Sequence, residues 1–409
     1  MTEASTDPLG DVRVVEIANF AAAPSAAAIM ADLGADVVKV EPPGGDAMWG
    51  AMRQAKVPDG AANPDHPMQF VNRGKRSVTI DLDAEAGRGL AHRLVSRADV
   101  VITNLLPARR RRFGLEPADL LARNARLVVA TLTGYGEEGD EIDRPGFDTT
   151  AFFARSGLAA VIAGPDRAPA RFRPAQGDHV AGLALFAGIM TALRTRDLTG
   201  RGQVVEASLL RSATWTLGFD LSAALTDGRS PGARSREEAV SPMAEAFRCA
   251  DGRWIQFAVV DAANGWAPFC TAIGRPDLIA HPDYATPALR FRNMAGVIAE
   301  IDAAVATRSR DAWAPVFDEH RIVWAPVNTL DEVVTDPQVR ATGAFAEVEH
   351  PEAGSFELVA APFRLHTAAN RPRAGYVGRG AETDDVLRDL LLADDDELAA
   401  LRDAGAFGA

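Results

Sequence analysis

The chain has 409 residues, 47% hydrophobic and 24% charged, a balance that excludes global disorder and a length beyond what one hydrophobic core usually supports. Its 43 Lys and Arg against 56 Asp and Glu leave a net charge of −13, which repels nucleic acid and anionic membranes, so an anionic ligand needs a local basic cluster. Cys249 and Cys270 alone make no disulfide framework or metal spacing, and no apolar run is long enough to span a bilayer.

The first half alternates short β-branched runs with helical patterns. VRVVEIA (Val12 to Ala18) reads as a strand, SAAAIMADLG as a helix stopping at Gly34, and ADVVKVE (Ala35 to Glu41) as the next strand. SVTIDL, DVVITN and LVVATLTG are further strands, separated by helical AEAGRGLAHRLVSRA and PADLLARN. Near-continuous apolar strands between helices imply a parallel sheet covered on both faces. Such sheets bind ligands at the C-terminal ends of their strands, which here are Ala18–Phe20, Glu41, Asp81–Asp83, Asn104 and Gly134–Gly136.

Asp178 opens a long apolar helix and suits its N-cap. TGRGQ is a turn, and VVEASLL fits strand or helix. From about Leu225 a polar stretch rich in Gly, Pro and Ser reads as a linker to an aromatic-bearing block, FRCADGRWIQFAVV, with a turn at Asp251-Gly252. MAGVIAEIDAAVATR is helical, FAEVEH and SFELVA are strand-like around a turn, and the stretch from TDDVLRDLLL onward is helical.

No GxxxxGK[ST], strand-borne GxGxxG, HExxH or GxSxG occurs. The basic clusters are RGKR (Arg73 to Arg76) and ARRRRFG (Ala108 to Gly114). A run of arginines is usually a solvated helix face, but the second follows a strand end, where arginine forks suit phosphate. Three aspartates complete the set. Asp166 reads as a turn residue, Asp178 as a cap and Asp148 as a helix start. Seven scattered histidines give no metal or catalytic pattern, and His179 reads as a first-turn helix residue. On these grounds the chain is a two-domain cytoplasmic α/β protein with an anion site, without nucleic-acid or membrane partners.

The order of the pieces resembles the family III CoA-transferases, the CaiB/BaiF family, over nearly the full length. VRVVEIANFAAAPSAAAIMADLGADVVKVEPPGGD, NRGKRSVTIDLD, ADVVITNLLPARRRRFG, LVVATLTGYGEEG, DRPGFD, GPDRAP with its following GD pair, TGRGQVVEASLL and FRCADGRW carry the resemblance. It implies a Rossmann-like large domain built from both chain ends (1–224 and 329–409), a smaller inserted α+β domain (225–328) and an interlocked homodimer. It also implies a CoA-transferase that moves CoA from an acyl-CoA to a carboxylic acid, with no tightly bound cofactor.

By the same resemblance, Asp178 of the GD pair is the nucleophile, and it forms in turn a mixed anhydride and an aspartyl-CoA thioester. Ala21, Ala22, Ile80, Asp83, Asn104, Leu105, Arg112, Pro145, Phe147 and Asp148 match cofactor-binding positions, with Asp148 near the thioester end. Departures are Pro42 and Asp83, where relatives place Arg and sometimes Lys, the lack of a glycine run, and Glu382 in GAET where relatives have histidine. Two alternatives stand beside the transferase. An α-methylacyl-CoA racemase of the same family would use Asp178 with a histidine, but Phe147 occupies that histidine's position. The other is a CoA-binding protein without turnover.

Overall fold

The computed structural model describes residues 7–50, 64–163, 168–170, 172–229, 232, 234–368 and 371–408. The chain divides into two compact units, Met1–Ala159 with Arg171–Ser230 and Ala341–Ala409, and Ala160–Ala170 with Pro231–Arg340.

In the first unit β1 (Arg13–Ile17), α1 (Ala22–Asp32), β2 (Asp36–Glu41), α2 (His66–Asn72), β3 (Arg76–Thr79), α3 (Glu85–Val95) and β4 (Val100–Thr103) follow one another. Then come α4 (Pro107–Phe113), α5 (Pro117–Arg123), β5 (Val128–Thr133), a π-helical turn Asp148–Ala154 and a short α6 (Leu158–Ile162), which begins in this unit and ends in the second. The long α7 (Gln176–Thr199), β6 (Val204–Ser208), α8 (Leu209–Thr216) and α9 (Gly218–Asp227) follow, so VVEASLL is a strand that turns directly into a helix. Helix continues through Leu225 to Asp227, past the point where the sequence reads as linker.

The six strands are all parallel, in the order β3-β2-β1-β4-β5-β6. This is a Rossmann-like α/β arrangement. β4 and β5 are buried at every residue, which is why they read as unbroken apolar runs. Successive side chains point to opposite faces. Val14, Val37 and Ile102 join the core holding α1 and α7, while Val15, Val38 and Val101 join the core holding α3.

α7 lies close against α1. A Cβ on Gly182 would stand 2.0 Å from Ser25 Oγ and 2.5 Å from the Ala22 carbonyl oxygen, so only glycine permits the approach. At the far end of α7, Arg196 Nη1 lies 2.8 Å from Asp99 Oδ1, and Asp99 Oδ2 accepts the Arg13 N–H at 2.9 Å. The helix is therefore tied to the sheet just ahead of β4.

The second unit has an antiparallel sheet of β7 (Ala246–Arg248), β8 (Trp254–Phe257) and β9 (Trp324–Val327). Helices α10 (Trp266–Ala272), α11 (Pro287–Arg292), α12 (Met294–Val305), α13 (Arg310–Glu319) and α14 (Leu330–Thr335) accompany it. Phe247, Phe257, Phe269, Trp313 and Phe317 fill its core, where both cysteines are buried free thiols.

After α15 (Pro337–Ala341), the hairpin β10 (Phe345–His350) and β11 (Gly354–Val359) and helices α16 (Thr383–Leu391) and α17 (Asp395–Asp403) belong to the first unit. Val386, Leu387, Leu390 and Leu398 pack into the core that holds α3.

Candidate active site

β1 and β4 are neighbours, yet the chain leaves β1 towards β2 and leaves β4 towards β5. A parallel sheet opens a crevice at the strand ends where its order reverses in this way. A cavity of about 280 Å³ lies there in the first unit. Asn19 and Phe20 line it just after β1, Ala22 from the start of α1, Asn104, Leu105 and Leu106 just after β4, and Thr133 and Gly134 from the end of β5. Pro145, Gly146 and Phe147 come from the loop before the π-helical turn, Leu209 from α8, Arg109 from α4 and Asp178 from α7.

Asp178 is the third residue of α7. The expectation that it caps the helix is corrected, because the cap is Ala175, held in the left-handed region at φ 69°. The helix thus begins three residues earlier than the sequence pattern suggests, and the Asp178 side chain is free to line the cavity instead of closing its own helix. Gly177 is required beside it, since a Cβ there would stand 2.6 Å from Cγ of buried Phe152. The glycine lets the first turn of α7 lie directly on that ring.

Burial raises the Asp178 pKa from the ordinary 3.8 to about 7, with the Asp148 carboxylate adding to the effect. Asp148, the first residue of the π-helical turn, is 3% exposed. Burial raises its pKa too, although backbone N–H groups of Thr149, Gly177 and Ala175 oppose the shift. Two carboxyl groups share this corner, and the more exposed one faces the cavity.

Among the sequence-derived site residues, Asp178, Ala22, Asn104, Leu105, Pro145 and Phe147 come together around the cavity. Ala21 is the buried residue before α1, and Asp148 is coupled to Asp178 from the π-helical turn. Ile80, Asp83 and Arg112 do not line the cavity. Ile80 is fully buried in the α3 core, whereas Arg112 and Asp83 pair with each other at 2.6 Å on the surface. Asp166 lies outside the described residues.

The two basic clusters have different fates. In RGKR, Arg73 pairs with buried Asp32 at 2.6 Å, Lys75 with buried Glu16 at 2.5 Å, and Arg76 with Asp36 at 2.7 Å. This cluster serves the fold, not an anion. In ARRRRFG, Arg110 turns inward to Glu137 and Arg111 pairs with Asp143, leaving Arg109 to line the cavity. His179 packs edge-on against Phe70 at 5.0 Å, and burial, with Arg73 nearby, lowers its pKa.

Leu106, Arg109, Leu132, Thr133 and Leu209 were not singled out by the sequence reading. The strand-end rule does point to Asn19, Phe20 and Gly134. Nothing in a run of four arginines tells which one faces a cavity, and Leu209 is one apolar residue among many.

A model of CoA-transferase family III matches residues 9–379. The chain is 29% identical to an (R)-2-hydroxy-4-methylpentanoate CoA-transferase of Clostridioides difficile, over 93% of this chain and 95% of that protein. It is 31% identical to a cinnamoyl-CoA:phenyllactate CoA-transferase of Clostridium sporogenes, over 88% of each. A crystal structure of a CaiB/BaiF family protein from Brucella suis superposes with a TM-score of 0.82 at 27% identity, covering 94% of this chain and 99% of that one.

Proposed function

The chain belongs to CoA-transferase family III, and on that premise we propose that this CoA-transferase works through Asp178 as a covalent nucleophile. The observation that carries the reading is the placement of Asp178, whose carboxylate lines the cavity at the reversal of strand order.

The Asp178 carboxylate attacks the thioester carbonyl of the donor acyl-CoA. The carbon–sulfur bond breaks, giving a mixed anhydride and CoA thiolate. The thiolate attacks the aspartyl carbonyl, the donor carboxylate departs, and the enzyme holds CoA as an aspartyl thioester. The acceptor carboxylate then attacks that thioester, and the released thiolate takes the acceptor acyl group, which regenerates Asp178. Each step exchanges one anion for another, so no external proton is consumed.

A pKa near 7 suits this role. The carboxylate is more basic than an ordinary one, hence a stronger nucleophile, yet it is substantially ionised at neutral pH. Its position in the first turn of α7 puts the positive end of the helix dipole near the oxyanions that form. Phe147 has no group to move a proton, so the base that a racemase would place at this position is missing.

The reading assigns the CoA arm to the cavity wall of Ala21, Ala22, Asn104, Leu105, Pro145 and Phe147. It assigns the adenosine end to the surface near Ile80, Asp83 and Arg112. It includes an interlocked homodimer, supported by the apolar exposure of Trp215, Phe219 and Leu225 on α8 and α9. It also includes the cytoplasm as the site of action. No helix among the described residues is long and apolar enough to cross a membrane.

Hydroxylamine trapping after incubation with a panel of acyl-CoAs tests the nucleophile. An aspartyl hydroxamate at position 178, absent from Asp178→Ala, is the expected product. CoA transfer at an undiminished rate by Asp178→Ala would end the proposal.

A further inference from the structure

Phe20 is one of the few non-glycine residues in the left-handed region, at φ 63°. It lines the cavity, and its ring meets Phe147 edge-on at 5.2 Å. A side chain in that conformation is strained, so the surroundings must hold it.

Directly beneath lies a buried set of two acids and two bases. Lys39 Nζ contacts Glu16 Oε1 at 2.8 Å and Asp46 Oδ2 at 3.0 Å, while Lys75 Nζ contacts Glu16 Oε2 at 2.5 Å. The four side chains are essentially inaccessible. Burial opposes the charge on Lys39, but Glu16 and Asp46 more than offset it and hold its pKa above the ordinary value. Buried ion pairs of this kind add little stability over well-packed apolar residues, so their contribution has to be sought in what else they bond.

Three of these side chains grip backbone between Ala18 and Pro24. Lys39 Nζ donates to the Ala18 carbonyl at 2.9 Å, the Phe20 N–H donates to Asp46 Oδ1 at 3.0 Å, and Lys75 Nζ donates to the Pro24 carbonyl at 2.9 Å. Asp46 is itself fixed, because its N–H donates to Glu41 Oε1 at 3.0 Å and its Oδ1 also accepts the Met48 N–H at 3.0 Å. Phe20 further packs on a small satellite core of Ala21, Met48, Met68, Val71 and Tyr376, and the left-handed Ala175 before α7 packs on the same core.

We infer that Asp46 is a positioning residue that, with Lys39 and Glu16, holds the turn between β1 and α1 in the strained shape that forms one wall of the CoA cavity. It touches no substrate and acts through the Phe20 backbone. The inference concerns the turn itself; it rests on the proposed CoA site only for its binding readout.

The test compares Asp46→Ala in the unaltered protein and in a Phe20→Gly background, since glycine adopts the left-handed region without strain. Two readouts are taken, hydrogen exchange of the residue 20 amide without ligand and the dissociation constant of coenzyme A by calorimetry. Expected are lost protection of the Phe20 amide and about tenfold weaker CoA binding in Asp46→Ala, shrinking to about twofold when residue 20 is glycine. Equal losses in both backgrounds would mean that Asp46 supports only the fold, and an unchanged Phe20 amide would overturn the inference outright.

If the unaltered protein binds no CoA, the cavity assignment fails while the exchange experiment still decides the role of Asp46. Should Asp46→Ala not fold, Asp46→Asn decides. It keeps an acceptor for the Phe20 N–H but sets an amide NH2 against Lys39 Nζ, so a partial loss of protection and of CoA affinity is expected, with the affinity recovering when residue 20 is glycine. Loss of both there, with Phe20→Gly giving no recovery, contradicts the inference.

Discussion

Asn19 and Asn104 exchange hydrogen bonds across the strand ends at the floor of the cavity. The Asn19 N–H donates to Asn104 Oδ1 at 3.1 Å, and Asn104 Nδ2 donates to the Asn19 carbonyl at 2.7 Å. One side chain thus satisfies both backbone groups of a residue on the neighbouring strand's turn, and so fixes the width of the crevice between β1 and β4. Replacing Asn104 by Ala leaves two backbone groups without partners, at about 1–3 kcal/mol. The expected result is a fall in kcat/KM for CoA transfer of about tenfold or more. Steady-state kinetics check it, and unchanged kinetics would show that the crevice does not depend on this pair.

The raised pKa of Asp178 makes opposite predictions for stability and rate. Between about pH 4 and pH 7 the unfolded chain has given up a proton that the folded protein keeps. The stability contributed by this group is therefore full at low pH and falls as pH rises through that window. Asp178→Asn removes the dependence, so its melting temperature should gain on the unaltered protein from pH 4 to pH 7 and run parallel above. The transfer rate should instead rise with pH through about 7 as the carboxylate forms. Because Asp148 is the second cause of the shift, Asp148→Asn should move the rising limb to lower pH without bringing it down to 3.8. A limb indifferent to Asp148 contradicts the coupling.

Two glycines in helices give contrasting outcomes on replacement by alanine. At Gly177 the added methyl meets the Phe152 ring at 2.6 Å, and overpacking costs about 1–3 kcal/mol while displacing the neighbouring Asp178. At Gly89 in α3 the methyl meets open space, so the better helix former should stabilise by about 0.5–1 kcal/mol. Denaturant titrations with activity assays check both. Gly177→Ala should lose activity as well as stability, and Gly89→Ala should lose neither.

The Arg112–Asp83 pair is largely exposed and contributes little to stability. It does occupy an arginine assigned above to the adenosine end of CoA. Asp83→Asn should leave the melting temperature within a degree or two and tighten CoA binding about two- to fivefold, with a gain that fades in high salt. Calorimetry at two ionic strengths measures it. Weaker binding would show that Asp83 contacts the ligand itself.

Much of this was legible from residues alone. Buried parallel strands declare themselves as apolar runs, and the strand-end rule leads to Asn19, Phe20, Asn104 and Gly134 before any coordinates are known. The start of α7 was not legible, because Asp178 has the chemistry of a cap and only the backbone at Ala175 reveals the earlier turn. The direction of each arginine in ARRRRFG depends on partners such as Glu137 and Asp143, distant in sequence and invisible to local pattern. Lys39 and Asp46 read as ordinary polar residues and Lys75 as part of a basic cluster, since nothing local shows that their charges meet under the sheet.

One consequence concerns the 24-residue helix that carries Asp178 near its first turn and Arg196 near its last. At 1.5 Å per residue the two lie about 27 Å apart along a stiff rod. Such a rod behaves as a lever. Its fulcrum is the point where Gly182 rests on Ser25 and Ala22, which makes the Asp178 arm the short one, so a slip at the Arg196–Asp99 mooring reaches the Asp178 carboxyl diminished and the cavity is buffered against lesions at the far end.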